Sequence, residues 1–544
     1  MKDRRKRGSL FLVSRCALAL LFVSGFTFST LRLVFTERYH PNLVSSWRTS
    51  PVEVISGDSP TVRGISIGET VMFPDQVLIL LNYPPSSPLL TKDDIDCVYT
   101  SPNMSRRSSP LSIGGEYLDQ QIVRCSLPPH GTIPSVSLKE QGDDHGLSPG
   151  PTHDWKSLAY EAIIDSDNTT VIFVKGLNLR SGRPSNASKF QCVYGSDLTN
   201  RQLLLKSEVV SVAQEVVRCK TPLSILEVLQ KGKTKSFKVS VYIKGRGIMG
   251  SIARPNFKSV LNPPVLNQHL MCACTMLRNQ ARFLPEWIMY HALIGVERWF
   301  IYDNNSEDNI EEVLESLMDQ GFKINRHVWP WIKTQEAGFA HCALRAQNLC
   351  KWVAFIDVDE FLHLPSGVHL RSIINKYNQT SRPEVAELRI SCHNFGPSGL
   401  KQIPPEGVTV GYTCRLGLPE RHKSIVQPDK LNSTLINIVH HFHLKDDFKH
   451  VNVDRNFMVI NHYKFQVWEV FKEKFYRRVA TYVSDWQQEE NVGSKDRAPG
   501  LGTRAVEPDD WSDRFCEIND TGLRDWVVKT FSDPFTGTLP WQQE

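Results

Sequence analysis

The chain has 544 residues, of which 41% are hydrophobic and 22% charged, with a formal net charge of +5. That composition is globular rather than disordered, and at roughly 150 residues per domain the length predicts two or three domains. The charge is small and dispersed and no nucleic-acid-binding signature occurs, so a nucleic-acid partner is excluded.

Lys2, Arg4, Arg5, Lys6 and Arg7 make residues 1–9 a basic tail. Residues 10–35 are apolar enough to cross a bilayer if Arg15 and Arg32 snorkel to its two faces. Ser24-Gly25 leaves a cleaved signal peptide as the alternative. The tail stays cytosolic by the positive-inside rule, which predicts a single-pass type II signal anchor with everything beyond it lumenal. A short span suits the thinner membranes of the early secretory pathway, so a Golgi membrane location is expected. Asn-x-Ser/Thr sequons at Asn103, Asn168, Asn186, Asn304, Asn378, Asn432 and Asn519 agree with that compartment. Cys16 lies in the anchor, and the remaining cysteines of the 12 are odd in number. At least one is therefore free or available to a partner chain, which makes a homodimer an expectation.

Residues 36–60 form a polar stem. From 61 to 262 the texture is β-like, with Val-, Ile- and Tyr-rich runs broken by Pro, Gly and Asn. Cys97-Val98-Tyr99-Thr100-Ser101 recurs as Cys192-Val193-Tyr194-Gly195-Ser196, and Val123-Arg124-Cys125 recurs as Val217-Arg218-Cys219. The offsets agree within a residue, which predicts a duplicated β-sandwich-like unit over 61–150 and 151–262, the alternative being two halves of one larger sandwich. One disulfide is expected in each copy, Cys97–Cys125 and Cys192–Cys219. The region reads either as a rigid spacer or as a carbohydrate-binding module.

From 263 to 544 strands and helices alternate. Gln268–Leu277 reads as a strand, then a helix opens at Pro285 and Glu286. Glu297–Tyr302 is a second strand, ending in Asp303-Asn304-Asn305-Ser306, a turn and helix cap. A helix over 310–320, a strand over 324–329 and a helix over 338–350 follow. Trp352-Val353-Ala354-Phe355-Ile356 is a buried strand that delivers Asp357-Val358-Asp359-Glu360. The series predicts a Rossmann-like, mostly parallel sheet. Carboxylates at the carboxyl end of such a strand sit in the ligand crevice. Two Asp at i and i+2 of an extended chain point the same way and can hold a hard divalent cation against a diphosphate. The same alternation turns Glu360 to the opposite face.

Leu277-Arg278-Asn279-Gln280, Glu286-Trp287-Ile288-Met289-Tyr290-His291, Tyr302-Asp303-Asn304-Asn305-Ser306 and Phe355-Ile356-Asp357-Val358-Asp359-Glu360-Phe361-Leu362 together resemble glycosyltransferase family 92, a GT-A fold. His393-Asn394-Phe395-Gly396, Lys423-Ser424-Ile425-Val426 and Asn461-His462-Tyr463 extend the likeness, which runs from about Gln268 to Asp485 and includes plant galactan synthases. By that resemblance Asp357 and Asp359 coordinate Mn²⁺, with Asp359 the direct ligand. A histidine near the end of the domain is the third ligand; His440, His441 and His443 are candidates and His440 is favoured. Arg278, with Asn279, reaches phosphate, the alternative being a surface ion pair with Glu286. Asp303 contacts ribose or base, or only caps a helix. Lys423 meets the diphosphate or is solvated. Glu286 and His291 brace the strand ends. Glu360 and His393 are both candidate bases for an acceptor hydroxyl.

The resemblance implies a UDP-sugar donor, UDP-galactose by preference, and a β-1,4-galactan-type cell-wall acceptor. Two other readings stand beside it: a galactosyltransferase acting on a glycoprotein glycan, and a noncatalytic glycan-binding membrane protein. A phosphohydrolase with an aspartate nucleophile wants Thr or Val where this chain has Phe361.

Overall fold

A computed structural model describes residues 64–82, 89–117, 120–139, 146–180, 182–213, 215–230, 237–257, 268–377, 383–438, 440–482 and 506–542. The expected tail, anchor and stem lie outside the described residues. No helix among the described residues is long and apolar enough to cross a membrane.

In the β-rich region, Ser66–Met72 pairs antiparallel with Gln76–Asn82, which pairs with Gln120–Ser126, which pairs with Ser112–Tyr117. Thr152–Asp154 adds a parallel edge beside Ser66–Met72. Further along, Leu158–Ile164 pairs with Thr169–Lys175, then Val216–Lys220, then Leu205–Ala213, with Gly250–Ser251 as the parallel edge. The five-strand order of the first sheet recurs within the second, which continues through Phe190–Gly195, Lys238–Ile243 and Gly247–Ile248, whereas Met104–Ser108, Ile95–Ser101 and Ile133–Leu138 form a sheet of their own. Disulfides join Cys97 to Cys125 and Cys192 to Cys219, as the spacing predicts.

The C-terminal half begins with β1 (His269–Leu277), α1 (Leu284–Ile294), β2 (Arg298–Asp303), α2 (Ile310–Asp319), β3 (Ile324–Val328), α3 (Gln335–Ala346) and β4 (Cys350–Phe355). It continues through β5 (Glu360–His363), α4 (Leu370–Tyr377), β6 (Glu384–Asn394), β7 (Arg421–Val426), β8 (Phe448–Asn452), β9 (Val459–His462), α5 (Trp468–Tyr482) and α6 (Gly522–Phe531). Pro285 sits in the first turn of α1, and Gly295, at φ 119°, ends it in the left-handed conformation that closes many helices.

Along the sheet the order is β3-β2-β1-β4-β7-β6-β9-β5, with β8 beside β6. The first four strands are parallel. β7 then runs antiparallel to both β4 and β6, and β5 antiparallel to β9. The sheet is thus mixed: the expected parallel order holds for the first four strands and again where β6 meets β8 and β9, and it is broken by the antiparallel β7 and β5. Parallel neighbours need a long crossover, usually a helix. Between β6 and β7 the described helix is only Val408–Gly411, four residues long, so that requirement lapses.

The two halves share one core. Phe73, Trp155, Tyr160 and Phe173 of the β-rich region pack with Phe300, Trp329, Trp331 and Phe339. Trp155 stacks on Trp331 at 5.6 Å between centroids, and Tyr160 lies 5.0 Å from Trp331. Arg218 Nε donates to the Ser433 carbonyl at 2.8 Å, and Arg124 pairs with Glu307 at 3.3 Å.

Three further disulfides, Cys272–Cys350, Cys274–Cys342 and Cys414–Cys516, use all but one of the described cysteines. The remaining one, Cys392, is buried. It is therefore not placed to bridge to a second chain, which removes the reason for expecting a dimer. Non-reducing peptide mapping is expected to recover these five pairs; a Cys97–Cys219 or Cys125–Cys192 crosslink would contradict the pairing order.

Candidate active site

β4 ends at Phe355, and the chain does not stay extended beyond it. The Glu360 N–H donates to the Asp357 carbonyl at 3.0 Å, closing a turn over 357–360. That turn corrects the expected orientation of Glu360. Strand alternation would send it to the far face, but the turn curls its carboxylate back so that Oε2 accepts from the Asp357 N–H at 3.0 Å. Asp357, Asp359 and Glu360 thus converge, with the last two buried.

Two buried carboxylates beside a third that is partly exposed would be costly without partners, and each is matched. Lys423, on β7, places Nζ 2.9 Å from Asp357 Oδ2, 2.9 Å from Glu360 Oε1 and 2.8 Å from His440 Nε2. Lys474, on α5, pairs with Asp359. His462, closing β9, sets Nε2 3.4 Å from Asp359 Oδ2 and Nδ1 3.5 Å from Glu360 Oε1. His440 Nε2 lies 3.7 Å from Asp357 Oδ2. The expected Asp357, Asp359, Glu360, Lys423 and His440 therefore form one cluster. Lys423 is neither solvated nor waiting for diphosphate alone; it is the counter-ion that holds two of the carboxylates together.

The environment sets the charge states. Burial raises the Asp357 carboxyl, but the Lys423 ammonium outweighs it and holds it well below the usual range. Asp359 is likewise held down, by Lys474 and His462 against its burial. Burial, aided by the two aspartates and opposed by Lys423, pushes Glu360 up to about 7. Burial and Lys423 bring His440 down to about 3, and burial brings His462 down to about 4, so both imidazoles are neutral. Neutral imidazoles and ionised carboxylates are the donors a divalent cation requires. Asp357, Asp359, His440 and His462 are the donor types a cation such as Mn²⁺ takes, hard oxygens and borderline nitrogens. Lys423 and Lys474 nevertheless stand on Asp357, His440 and Asp359, and the donor set that lies together among the described residues is Glu360, His462 and Cys392. Cys392 Sγ also lies within 4.8 Å of the nearest Glu360 and His462 donor atoms. Burial pushes that thiol well up, so it is a poor ligand beside the carboxylates.

The other expected residues sit differently. Arg278 follows β1, which runs out beside β4 at the same sheet edge, and its guanidinium pairs with Glu307 at 3.3 Å rather than with Glu286. Asn279 donates its N–H to Ser306 Oγ at 3.0 Å and accepts the Glu307 N–H at 2.7 Å, stitching two edge loops together. Asp303 is buried with both oxygens engaged, Oδ1 by the Ser306 N–H at 2.9 Å and Oδ2 by Arg326 at 2.7 Å. Asn304 spends its side-chain amide on the Trp329 carbonyl at 2.7 Å, which makes its sequon unsuited to a glycan in the folded chain. Glu286 braces the structure by accepting from the Val408 and Thr409 N–H groups at 2.8 and 2.9 Å. His291 Nε2 accepts from the Leu362 N–H at 3.3 Å. His393 stands opposite Asn461, one residue out of step with His462, and so points away from the carboxylates. It cannot share a substrate hydroxyl with them.

His462 and Lys474 are the members that sequence reasoning gave no role. His462 was visible within Asn461-His462-Tyr463. Nothing local separates Lys474 from Lys472 two residues earlier.

Strand-terminal carboxylates answered by lysines and histidines, at the carboxyl end of β4, make this cluster the candidate active site. The comparisons give the class. Residues 267–493 match the family model for glycosyltransferase family 92. A glycosyltransferase family 92 protein of Ricinus communis is 59% identical over 566 residues, covering 100% of both chains. The chain belongs to glycosyltransferase family 92 and is a glycosyltransferase. A galactan beta-1,4-galactosyltransferase of Arabidopsis thaliana is 25% identical over 186 residues, 31% of this chain and 36% of that one. Glucosyl-3-phosphoglycerate synthase from Mycobacterium tuberculosis aligns over 39% of this chain and 78% of its own at 12% identity, with a TM-score of 0.20, too low to argue from.

Proposed function

We propose that the chain transfers galactose from UDP-galactose to a β-1,4-galactan-type polysaccharide, using Mn²⁺ and a GT-A-type fold, from the lumenal face of a Golgi membrane. The observation that carries the transferase chemistry is the buried convergence of Asp357, Asp359 and Glu360 on Lys423, Lys474, His440 and His462. The donor sugar and acceptor rest on the distant galactan synthase relative alone. The paired β units, on this reading a duplicated sandwich, form a wall fixed to the catalytic half.

A β-linked product from an α-linked donor requires inversion. The acceptor hydroxyl attacks the anomeric carbon as the bond to the diphosphate breaks, and its proton goes to Glu360. Glu360 suits that role: Asp357 N–H and Lys423 fix its two oxygens, and its pKa near 7 matches a base working at neutral pH. Lys423 and Lys474 supply fixed positive charge beside the departing diphosphate. A bound Mn²⁺, held by Asp357, Asp359 and a neutral histidine, would neutralise that diphosphate.

The sign of the pH dependence follows. Glu360 must be ionised to accept a proton, so kcat/KM is expected to rise through about pH 7 and level off above it. Glu360→Gln should lose that limb and lower turnover by about 10²–10⁴-fold; an unchanged profile would remove Glu360 as the base.

A panel of UDP-galactose, UDP-glucose and UDP-xylose, with galactan oligosaccharides and with and without EDTA, tests the reading. Preference for another donor defeats the galactose assignment, and full activity in EDTA defeats the metal. Transfer to a glycoprotein glycan but never to galactan discards the acceptor. No turnover of any donor leaves the noncatalytic reading.

A further inference from the structure

The face of the sheet turned away from the carboxylates holds a second polar cavity. Glu360 stands opposite His462, so the next pair, Phe361 and Asn461, points to the other face, together with His393. His363 shares that face. There His363 and His393 line a cavity of about 560 Å³ with Arg415, Arg455, Asp520 and Trp526.

Its charges do not cancel. Arg415 Nε donates to Asp520 Oδ2 at 2.6 Å, which neutralises that pair. Arg455 is exposed and has no ion pair among the described residues. Both histidines are neutral: burial, with Arg415 and Arg455, pushes His393 down to about 4, and burial lowers His363. One guanidinium is left over, which suits a monoanion.

The hydrogen bonds specify an acceptor. Arg415 can only donate, and its NH1 lies 3.3 Å from His393 Nδ1. Neutral His393 therefore carries its proton on Nε2, which has no hydrogen-bond partner among the described residues and can donate to a ligand. Arg455, the remaining Arg415 nitrogen and His393 Nε2–H form a donor cluster of the kind that receives a carboxylate. The walls are built in advance. The Cys414–Cys516 disulfide and the pairing of Arg415 with Ile518 lock the Arg415 strand against the segment that carries Asp520 and Trp526. The volume exceeds the need of a bare anion, and the half-buried Trp526 offers a ring face.

We propose that this cavity binds a carboxylate-bearing sugar, a hexuronate unit, with its carboxylate on Arg455, Arg415 and His393 and its ring against Trp526. It is a second saccharide site, separate from the transfer centre. The ligand class rests on the chain being a glycosyltransferase and not on the galactose or galactan assignment, so those can fail while this stands.

Calorimetric titration of the whole protein with glucuronate, glucose and inorganic phosphate tests it. Glucuronate should bind at least about tenfold more tightly than glucose or phosphate, and Arg455→Gln should weaken it by about tenfold or more. Asp359→Asn should leave glucuronate binding unchanged. Equal binding of glucose, or phosphate binding as tight as glucuronate, would overturn the assignment of a carboxylated sugar. Insensitivity to Arg455→Gln, loss of binding in Asp359→Asn, or no binding of glucuronate at all would overturn the site.

Discussion

Replacing Asp359 by alanine is expected to lower transfer by about 10²–10³-fold and to destabilise the fold by about 1–3 kcal/mol. From sequence alone Asp359 reads as a cleft-edge carboxylate whose loss leaves folding intact. The structure reverses the second half of that expectation, because Asp359 is buried and answers Lys474 and His462. Truncation takes the Asp359 charge away from the Lys474 ammonium, which is only partly reached by solvent. Removing one partner of a buried pair costs more than the pair contributes, whereas removing both is often close to neutral. The double variant Asp359→Ala/Lys474→Met should therefore recover most of the lost stability and none of the activity. Turnover and thermal midpoints of the two singles and the double separate the effects. A double variant no more stable than Asp359→Ala would show that the lysine is not the reason for the loss, and a single variant with full turnover would remove Asp359 from the site.

The comparison of expectation with structure turns on what is local. β1 to β4 were legible because each is an apolar run bounded by turn residues and separated by a helix, and their bounds are met within a few residues. The disulfides of the β-rich region were legible because a repeated Cys-Val-Tyr word carries its own register. The mixed half of the sheet was not, since nothing in β7 or β9 states which neighbour it will join. The site divides the same way. Asp357 and Asp359 announce themselves at the end of a strand, but the orientation of Glu360 depends on one backbone hydrogen bond across 357–360. Lys474 reaches Asp359 from 115 positions away, a contact only the tertiary fold creates.

Trp331→Ala, made far from the carboxylates, is expected to destabilise the chain by about 3–5 kcal/mol. Trp331 is 2% exposed and stands between the two halves of the molecule. It stacks on Trp155 and meets Tyr160 and Phe73 of the β-rich region, and its Nε1 donates to Glu161 Oε1 at 3.3 Å. The same loop is tied to the candidate nucleotide edge: Asn304 Nδ2 donates to the Trp329 carbonyl and Asn305 Nδ2 to the Pro330 carbonyl, at 2.7 and 3.1 Å. Truncation therefore opens a cavity in a shared core, removes one hydrogen bond from Glu161 and loosens the 303–306 loop together. Deleting residues 64–257 removes the partner altogether and exposes Trp329, Trp331 and Phe173's neighbour His341 to water, an apolar patch that drives aggregation. The deletion should accordingly yield insoluble or aggregated protein, read by gel filtration, and Trp331→Ala a lower thermal midpoint with weakened UDP binding. A soluble, monomeric and cooperatively unfolding fragment over 263–544 would instead make the β-rich region a spacer, and an unshifted midpoint for Trp331→Ala would show that this interface carries no stability.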